Sequence, residues 1–594
     1  MNGLSKHKRG SRALVGAVCV LGLVDVACGG ATRRFPLKAP LTRDTDLDPV
    51  HVSCRPEEDK KTGVKKAVCT PDDYESPFAW DGANQLVFRP ISRFFAVDPA
   101  GPALNVNAVD EVADSSWFVN RMGSGAYTPD DVARGYCDKE LDPNGAAGSW
   151  PIDQGKPNGA NPGFRVKVPG YGKFMLKADI AAEPERASGA TAIASRIYYA
   201  LGWWAPCDSV VYFPASVLKL KPGLKVTDNS GVTKDFDAAA LKHVLGAAVH
   251  KGDLVRMVAS KWLPGRTIGP FTYEGKRSDD PNDVIPHEDR RDLRGARVIA
   301  AWLNHFDSRE QNSMDTWMPV DEKDSDSSPG HVRHWYIDLG DCFGSQWDAD
   351  GISRRLGFSY YLDFEHVAAD FATFGLIERP WERAEKSKSI FGYFHSRDFE
   401  PDSYHGGYPN PAFMRLTEHD GAWAARKIAR FTDAHLAAAV AVGKYSDTDG
   451  VEYLRRHLAI RRDIILRRYF RDLSPVGELA VKGNDLCGVD LARFSKAFDA
   501  SKFAYSAKLY TGGSFSASGE AAVRAGAEGE TCVPLRHHAG DGGARDDDAS
   551  RYMVVDLTNG QSKGLLRAHL YDLGPKKGFR LVGVERPFGQ SPPG

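Results

Sequence analysis

The sequence predicts an α+β protein in which a β-rich lobe is followed by a helical lobe and then by a small all-β domain. Residues 151–265 combine strand-type apolar runs with one amphipathic helix, and residues 266–475 contain long helical patterns. Residues 476–594 return to short β-type runs between Gly- and Asp-rich loops. A chain of 594 residues is also longer than one hydrophobic core usually serves, so at least two packed units are expected.

The composition is that of an ordinary soluble globular protein, with 42% hydrophobic and 26% charged residues. The formal net charge of −1 argues against nucleic acid as an electrostatic partner. The sequence has no basic stripe interleaved with aromatic residues and no zinc-finger spacing. We therefore expect no nucleic-acid partner.

Residues 1–28 predict an export signal. A basic start precedes an apolar run over residues 13–24, which is too short to span a bilayer. The run leads into VACGG, which resembles a bacterial lipobox with Cys28 as the lipidated residue. Asp25 departs from that pattern and leaves simple secretion, with cleavage near Ala27, as the alternative. The residue after the cysteine is not aspartate, which suits an outer-membrane lipoprotein facing the periplasm or the cell surface.

Nine cysteines are present, and Cys19 and Cys28 lie in the signal segment, which leaves seven. They show no CxxC spacing and no Cys/His cluster, so no zinc site is predicted. In an oxidising compartment, Cys54–Cys69 and Cys487–Cys532 are plausible disulfides because each pair lies within one segment. Since seven is odd, at least one cysteine stays free or pairs between chains.

Two segments precede the lobes. Residues 29–80 are polar, irregular and rich in charge clusters, which predicts a flexible tether with a possible cystine loop. Residues 81–150 are dense in aromatic side chains such as Phe94, Phe95 and Trp117, which predicts a segment wrapped on a larger domain.

Residues 151–265 predict a small lobe built around a hairpin. Gly159 and Gly163 lie in a turn-forming stretch that leads into it, and its second strand carries Lys177. A helix follows, with apolar residues at i, i+3 and i+4 spacing up to Leu201, and Gly202 ends it. The predicted strands of this lobe are Phe164–Val168, Lys173–Ala178, Ser209–Phe213 and Leu254–Leu263.

Residues 266–475 predict a helical large lobe that presents three oxygen-bearing side chains. A helical run that includes Val298 and Leu303 ends in a polar turn, which would place Asp307 and Asn312 on a loop. An apolar strand predicted at Trp335–Leu339 would deliver Asp338 shortly afterwards. Further helices are predicted at Ala422–Arg430, Asp433–Val442 and Val451–Phe470.

These residue types suit phosphoryl transfer, which needs hard oxygen ligands for Mg²⁺ and an acceptor for the proton of the incoming hydroxyl. Asp307 is the candidate proton acceptor. Asn312 and Asp338 are the candidate Mg²⁺ ligands, and Asp341 could assist or replace Asp338. The alternative interpretation makes Asp307 a turn cap, Asn312 a loop residue and Asp338 a surface carboxylate.

The phosphates of a nucleotide would contact the small lobe. Lys177 is the candidate cation for them, and backbone amides near Gly159 and Gly163 would cradle them. Taken alone, Lys177 is better explained as a solvated strand lysine and the glycines as an ordinary turn. The order of these features before the Asp/Asn/Asp set favours the functional interpretation.

The stretch NGANPGFRV…KFMLKAD resembles the phosphate loop and lysine strand of HipA-type kinases. The stretches NHFDSREQN and YIDLG are similar to catalytic and metal motifs shared by those kinases, phosphoinositide kinases, CotH-type spore-coat kinases and aminoglycoside phosphotransferases. The resemblance covers about residues 155–345 at motif level. It implies a bilobal kinase-like fold, with ATP and Mg²⁺ as cofactors and a hydroxyl-bearing acceptor.

Two departures from the kinase pattern leave other functions open. The helix glutamate that pairs with the lysine is replaced by Thr191, with Glu183 or Glu185 as substitutes, and Phe306 precedes Asp307 where His, Arg or Gly is usual. ATP is also scarce outside the cytoplasm. A catalytically inactive, pseudokinase-like lipoprotein that binds a cell-envelope partner is therefore the first alternative.

A metal-dependent hydrolase built on the acidic loop Asp279–Asp289 is the second alternative, and it requires His287 to lie beside Asp307. The remaining chain, 476–594, predicts a β sandwich with strands at Ala504–Leu509, Tyr552–Leu557, Gly564–Tyr571 and Phe579–Val584. It contains no catalytic constellation.

Overall fold

The computed structural model describes residues 34–38, 44–58, 63–75, 77–95, 101–123, 126–157, 159, 161–227, 232–345, 349–511, 515–542 and 544–589. The predicted signal segment and Cys28 lie outside these residues. The fold is a mixed α+β arrangement with one curled sheet and several smaller sheets. Within the described ranges, no helix is both long and apolar enough to cross a membrane.

The strands of the first half of the chain are β1 Arg55–Glu58, β2 Lys65–Val68, β3 Trp150–Gly155, β4 Gly163–Val168, β5 Gly172–Lys177, β6 Asp208–Pro214, β7 Leu218–Leu220, β8 Lys225–Thr227, β9 Thr233–Asp235, β10 Val249–Lys251, β11 Leu254–Lys261, β12 Arg266–Thr267, β13 Ser313–Pro319 and β14 Gly330–Tyr336.

The helices are α1 Phe78–Ala83, α2 Arg89–Phe95, α3 Pro129–Arg134, α4 Arg186–Leu201, α5 Ala238–Ala247, α6 Arg291–Leu303, α7 Asp350–Ser353, α8 Phe364–Ala372, α9 Pro411–Met414, α10 Glu418–Ala429, α11 Asp433–Ala441, α12 Thr448–Phe470 and α13 Leu491–Phe494. A π-helical stretch, Asn84–Phe88, joins α1 to α2.

The curled sheet positions Lys177. Its strand order is β10-β11-β5-β4-β3-β7, with β6 added on β11. Alternate residues of the β4–β5 hairpin, such as Phe164 and Leu176, point into one buried cluster, as the period of two predicts. Lys177 ends β5 and is flanked by Gly163 on β4 and by Val258 on β11. The predicted hairpin is confirmed, with each strand starting one residue earlier.

Helix α6 carries the chain into the predicted catalytic loop. It is buried almost all round, with Trp302 fully enclosed, and it packs on α10 and α12. Asn304 ends it in the left-handed region with φ 52°, a conformation that Asn tolerates better than most residues. The loop over residues 305–312 follows, and β13 begins at Ser313.

Strand β14 brings the chain back to the same place. It pairs with β13, which in turn pairs with β12. The predicted strand at Trp335–Leu339 is displaced, because β14 ends at Tyr336. Asp338 lies two residues beyond, with φ 55°. The predicted helices of the large lobe are confirmed as α10, α11 and α12, with ends that differ by at most four residues.

The C-terminal region contains β15 Val476–Lys482, β16 Asp485–Asp490, β17 Ser506–Thr511, β18 Ser516–Ala521, β19 Arg524–Ala525, β20 Glu530–Pro534, β21 Tyr552–Thr558, β22 Leu566–Asp572 and β23 Phe579–Glu585. They form two antiparallel sheets, ordered β15-β16-β20-β19 and β18-β17-β21-β22-β23. Apolar side chains of both sheets, including Leu486 and Leu566, share one core. This is the layering of a sandwich.

Three disulfides join cysteines of the described chain. Cys54–Cys69 and Cys487–Cys532 are present as predicted. Cys137–Cys207 was not predicted, because its cysteines are 70 residues apart in sequence. Cys342 is the free cysteine of the described residues, and it is buried.

Parts of the segment predicted as a tether pack on the body. The Phe35 amide donates to the Tyr552 hydroxyl at 2.8 Å, and the Cys69 amide donates to the Asp326 carbonyl at 2.6 Å. Arg290 of the large lobe binds the Asp44 carboxylate at 2.8 Å. These contacts hold the described stretches against the protein, which the prediction of a flexible tether does not include.

Glu111 lies in the segment predicted to wrap on a larger domain. We expect its ion pairs to make the stability of the folded protein fall at acidic pH. Burial opposes its charged form, but Lys427 at 2.8 Å and Arg426 at 3.1 Å outweigh burial and lower its pKa to about 2. Because the pKa of Glu111 is lower in the folded state, its ionised carboxylate stabilises the folded protein at pH values above the unfolded pKa, near 4.5. This stabilisation is lost as the pH falls towards 2. Urea unfolding at pH 7, 4 and 3 should show a steeper loss of stability for the parent than for Glu111→Gln. Equal slopes would contradict this assignment.

Candidate functional site

The two ends of the predicted site meet directly. The Lys177 ammonium, at the end of β5, lies 2.7 Å from the Asp338 carboxylate beyond β14, although 161 residues separate them. The Lys177 side chain is 16% exposed and that of Asp338 is 52% exposed, so solvent reaches the carboxylate of the pair. Lys177 and its hydrogen bond lower the pKa of Asp338 to about 2 against the opposing effect of burial. Asp338 is therefore ionised at neutral pH.

The catalytic-loop residues lie beside this pair. The Ile337 amide donates to the Asn312 carbonyl at 3.0 Å, which pins the chain before Asp338 to the loop. The Asn312 side-chain amide donates to the Asp307 carbonyl at 2.7 Å and to its carboxylate at 2.8 Å. Arg309 lies 3.2 Å from the same carboxylate. The structure thus brings Asp307, Asn312 and Asp338 together.

Two carboxyls of the site are crowded. Burial, with help from Asp341 and Asp338, raises the pKa of Asp307 to about 7, although Arg309 and Asn312 oppose the shift. Burial and the charge of Asp338 likewise raise the pKa of Asp341 to about 6, although Arg186 opposes it. The carboxyls of Asp307, Asp338 and Asp341 therefore act on one another, as expected where like charges lie close together and partly buried.

Helix α4 contacts the site through an arginine. Arg186 donates to the carbonyls of Gly340 at 3.0 Å and Gly344 at 2.9 Å, which holds the chain after Asp338. Thr191 donates to the Ala187 carbonyl at 2.8 Å inside the helix. The turn at Gly340 packs so closely that an added Cβ would lie 3.0 Å from the Thr191 hydroxyl oxygen.

The two glutamates considered as partners for Lys177 have other partners. Glu183 binds Arg186 at 2.7 Å, and the Glu185 carboxylate accepts from the Ser446 amide at 2.7 Å. The ion-pair partner of Lys177 is Asp338.

The glycines predicted to cradle phosphates have different environments. Gly163 lies within β4, where an added Cβ would be 2.3 Å from the Leu176 carbonyl oxygen, so close strand packing explains this glycine. Gly159 has φ 94° and lies in the loop before β4. The predicted amide cradle also includes Ala160, which lies outside the described residues.

Lys156 is a second lysine of the site that the sequence did not reveal. It follows β3, and its ammonium donates to the Asn161 carbonyl at 2.7 Å. Burial and the charge of Lys177 lower its pKa to about 8, while Asp338 and Asp341 raise it. Its position just before a glycine-containing loop was the available signal, but the β3–β4 register that turns it towards Lys177 is a tertiary property.

The residues before Asp307 form a buried support. Phe306 is 1% exposed, and its carbonyl accepts from the Gly407 amide at 2.5 Å. Burial lowers the pKa of His305 to about 4, and its ring contacts the Tyr198 hydroxyl at 2.9 Å. Neutral His305 therefore fixes the start of the loop through its contact with Tyr198 of α4.

The acidic loop of the hydrolase alternative forms a separate cluster. His287 lies 2.8 Å from Asp283 and packs edge-on against Trp117. Asp307 has Asn312 and Arg309 as its neighbours. The juxtaposition of His287 and Asp307 that a hydrolase on this loop requires does not appear among these contacts.

The donor chemistry of these side chains suits Mg²⁺. Asp338, Asp341 and Asn312 offer carboxylate and amide oxygens, which this ion prefers. Among the described residues, no three His, Cys, Asp or Glu side chains already form a metal-binding group. Lys177 binds one oxygen of Asp338, so a cation held by Asp338 would share this carboxylate with the ammonium.

No protein-family model matches the chain, and the comparisons with curated proteins and with solved structures find no match.

Proposed function

We propose that the protein is an exported kinase-like phosphotransferase that transfers a phosphoryl group from ATP to a hydroxyl acceptor. In this proposal the curled sheet with α4 is the small lobe and the helices from α6 to α12 are the large lobe. The observation that carries it is the 2.7 Å contact between Lys177 and Asp338, beside a loop that holds Asp307 and Asn312. Export and lipidation at Cys28 are proposed from the N-terminal sequence.

Each side chain has a role in this reaction. Lys177 and Lys156 would bind phosphate oxygens, and Asp338, Asp341 and Asn312 would hold Mg²⁺, which supplies positive charge to the phosphates when bound. Asp307 takes the proton from the acceptor hydroxyl, and its raised pKa suits a general base. The hydroxyl oxygen bonds to the γ-phosphorus, the bond to the β-phosphate oxygen breaks, and ADP leaves with its electron pair.

Two observations favour the pseudokinase-like candidate. Lys177 binds a carboxylate that a metal ion would need, and α4 offers Thr191 at the place of the usual glutamate. In that case the site around Lys177 and Asp338 binds a cell-envelope partner. The two candidates use the same site and differ in whether phosphoryl transfer takes place.

Thermal unfolding with Mg²⁺-ATP tests the proposal. ATP at one hundred times its dissociation constant stabilises a protein by about 2.7 kcal/mol, so the parent should melt at higher temperature with Mg²⁺-ATP and show a smaller shift with ATP and EDTA. Lys177→Met should lose most of the shift, because Lys177 bears the charge that faces the phosphates. Lys167→Met, an exposed lysine on β4, is the matched control.

Three outcomes are informative. A parent without any shift would remove the nucleotide-binding proposal. A shift that Lys177→Met retains in full would remove the phosphate role of Lys177. A shift without ATP consumption, equal for the parent and Asp307→Asn, would favour the pseudokinase-like candidate.

A further inference from the structure

Asp208 is a buried carboxylate that the proposed reaction does not use. It begins β6 next to the disulfide-bonded Cys207, and it is 1% exposed. Within the described residues, neither of its carboxylate oxygens has a hydrogen-bonding partner. A buried carboxylate without hydrogen bonds costs free energy, and folded proteins leave few polar groups in that state. We therefore expect Asp208 to have a partner in another state of the protein.

The strand register places Asp208 on the same face of the curled sheet as Lys177. Val258 of β11 pairs with Lys177 on one side and with Val210 of β6 on the other. Asp208 lies two residues before Val210, and side chains two residues apart in a strand share a face. By the usual strand spacings the α-carbons of Lys177 and Asp208 are roughly 12 Å apart, which is about the reach of an extended lysine and an aspartate joined by a hydrogen bond.

The charges of these two side chains already act on one another. Burial lowers the pKa of Lys177, but Asp338 and, to a smaller extent, Asp208 outweigh burial and raise it. Burial raises the pKa of Asp208 to about 6, although Ser260 and the charges of Lys177 and Arg196 oppose the shift. Lys177 and Arg196 are thus the two cations that stabilise the ionised form of Asp208.

Arg196 of α4 has an anionic partner of its own. Its guanidinium donates to the Ala133 carbonyl at 2.8 Å and to the Glu140 carboxylate at 3.2 Å. The ion-pair partner of Lys177 is Asp338, which is also a candidate ligand of Mg²⁺. Lys177 is therefore the cation whose partner would change when a ligand binds.

Metal binding at Asp338 would require a second anion for Lys177. The ammonium and a Mg²⁺ ion would share one carboxylate, and their like charges repel one another. A largely buried ammonium is costly unless a carboxylate balances it. The place of the usual helix glutamate is held by Thr191, whose hydroxyl donates within α4. Asp208 is a carboxylate that the sheet itself supplies.

We propose that Asp208 is a positioning residue that binds the Lys177 ammonium when Mg²⁺-ATP occupies Asp338. This inference rests on the proposed phosphotransferase function. Because a lysine ammonium has three N–H donors, Lys177 can bind Asp208 and a phosphate oxygen together. Lys177 exchanges Asp338 for Asp208 as the nucleotide binds, and both oxygens of Asp338 become accessible to the metal ion.

Urea unfolding of single and double variants at pH 8, without nucleotide, tests the second ion pair. In the parent, Asp208→Asn should leave the unfolding equilibrium constant unchanged or lower it, because a buried charge without hydrogen bonds is removed. In the Asp338→Asn background, where Asp208 becomes the partner of Lys177, the same change should raise that constant about tenfold. Ser209→Ala, at a buried neighbour on the opposite face of β6, is the control and should have equal effects in both backgrounds.

Calorimetric titration with ATP tests the role of Asp208 in nucleotide binding. Asp208→Asn should weaken the binding of Mg²⁺-ATP about tenfold, the scale of one hydrogen bond to a charged group, because Lys177 then competes with the metal ion for Asp338. The binding of ATP with EDTA should be nearly unchanged, since no metal ion then needs Asp338. Ser209→Ala should bind both forms as the parent does.

Three other results contradict one part or another. Equal effects of Asp208→Asn in the two backgrounds would identify Arg196 as its partner and overturn the proposal. An equal loss of affinity with and without Mg²⁺ would overturn the positioning role. Unequal effects in the two backgrounds, in a parent that binds no Mg²⁺-ATP, would remove the proposed phosphotransferase and keep the Lys177–Asp208 pair, so the two failures are distinguishable.

Discussion

Replacing Asp338 with asparagine is expected to abolish the Mg²⁺-dependent part of the stabilisation by ATP. Asp338 has φ 55°, a conformation that Asn adopts more readily than Ala, so the variant removes the charge and keeps the backbone. Without the carboxylate, a proposed Mg²⁺ ligand is lost and Lys177 loses its ion-pair partner. At one hundred times the parent dissociation constant, we expect most of the stabilisation of about 2.7 kcal/mol to disappear.

The measurement is the melting temperature with ATP, with Mg²⁺-ATP and with Mg²⁺-ATP plus EDTA. Asp253→Asn, an exposed residue in the turn between β10 and β11, is the matched control and should behave like the parent. If Asp338→Asn responds to Mg²⁺ as the parent does, the assignment of Asp338 as a ligand is wrong. The loss of the response with intact far-UV circular dichroism would support it.

Replacing Asp110 with asparagine is expected to destabilise the whole protein by about 3–5 kcal/mol, because buried Arg586 loses its carboxylate partner and buried Arg291 and Arg426 each lose one of two. Asp110 binds Arg291 at 2.6 Å and Arg426 at 3.4 Å, and it also binds Arg586. Burial opposes the ionised form of Asp110, but these three arginines outweigh it and hold its pKa well below the usual range. One carboxylate thus joins α6, α10 and the C-terminal sheets.

Urea unfolding at pH 7 measures this effect. Asp130→Asn, an exposed residue of α3, should change the free energy of unfolding by less than about 1 kcal/mol, the scale of a helix-dipole interaction. A loss of less than 1 kcal/mol for Asp110→Asn would show that the arginines are stable without this partner. In Asp110→Asn, the helical region and the C-terminal sheets should both unfold at a lower urea concentration than in the parent.

The elements that the sequence predicted well are those set by local periodicity. Helix α4 and the β4–β5 hairpin have apolar positions at spacings that only one secondary structure turns to a single face. The strand before Asp338 was displaced, because the apolar run continues to Leu339 while pairing with β13 stops at Tyr336. Pairing depends on the partner strand, which the local pattern does not contain.

The residues of the candidate site likewise fall into those that the local sequence predicted and those that depend on tertiary packing. Asp307 and Asn312 are five residues apart, so one loop presents both and the sequence could name them together. Lys156 and the Arg186 clamp on Gly340 were missed, because each meets the site through strand register or helix docking. The disulfide Cys137–Cys207 was missed for the same reason.

By itself, the sequence determined the approximate positions of the main helices and strands and the residue types available for chemistry, and it made two of the disulfides plausible. Only the tertiary structure decided that Lys177 meets Asp338, and that Asp110 joins three parts of the chain through arginines. The physical reason is range. Backbone periodicity acts over a few residues, whereas ion pairs across 161 or more positions form only once sheets and helices have packed.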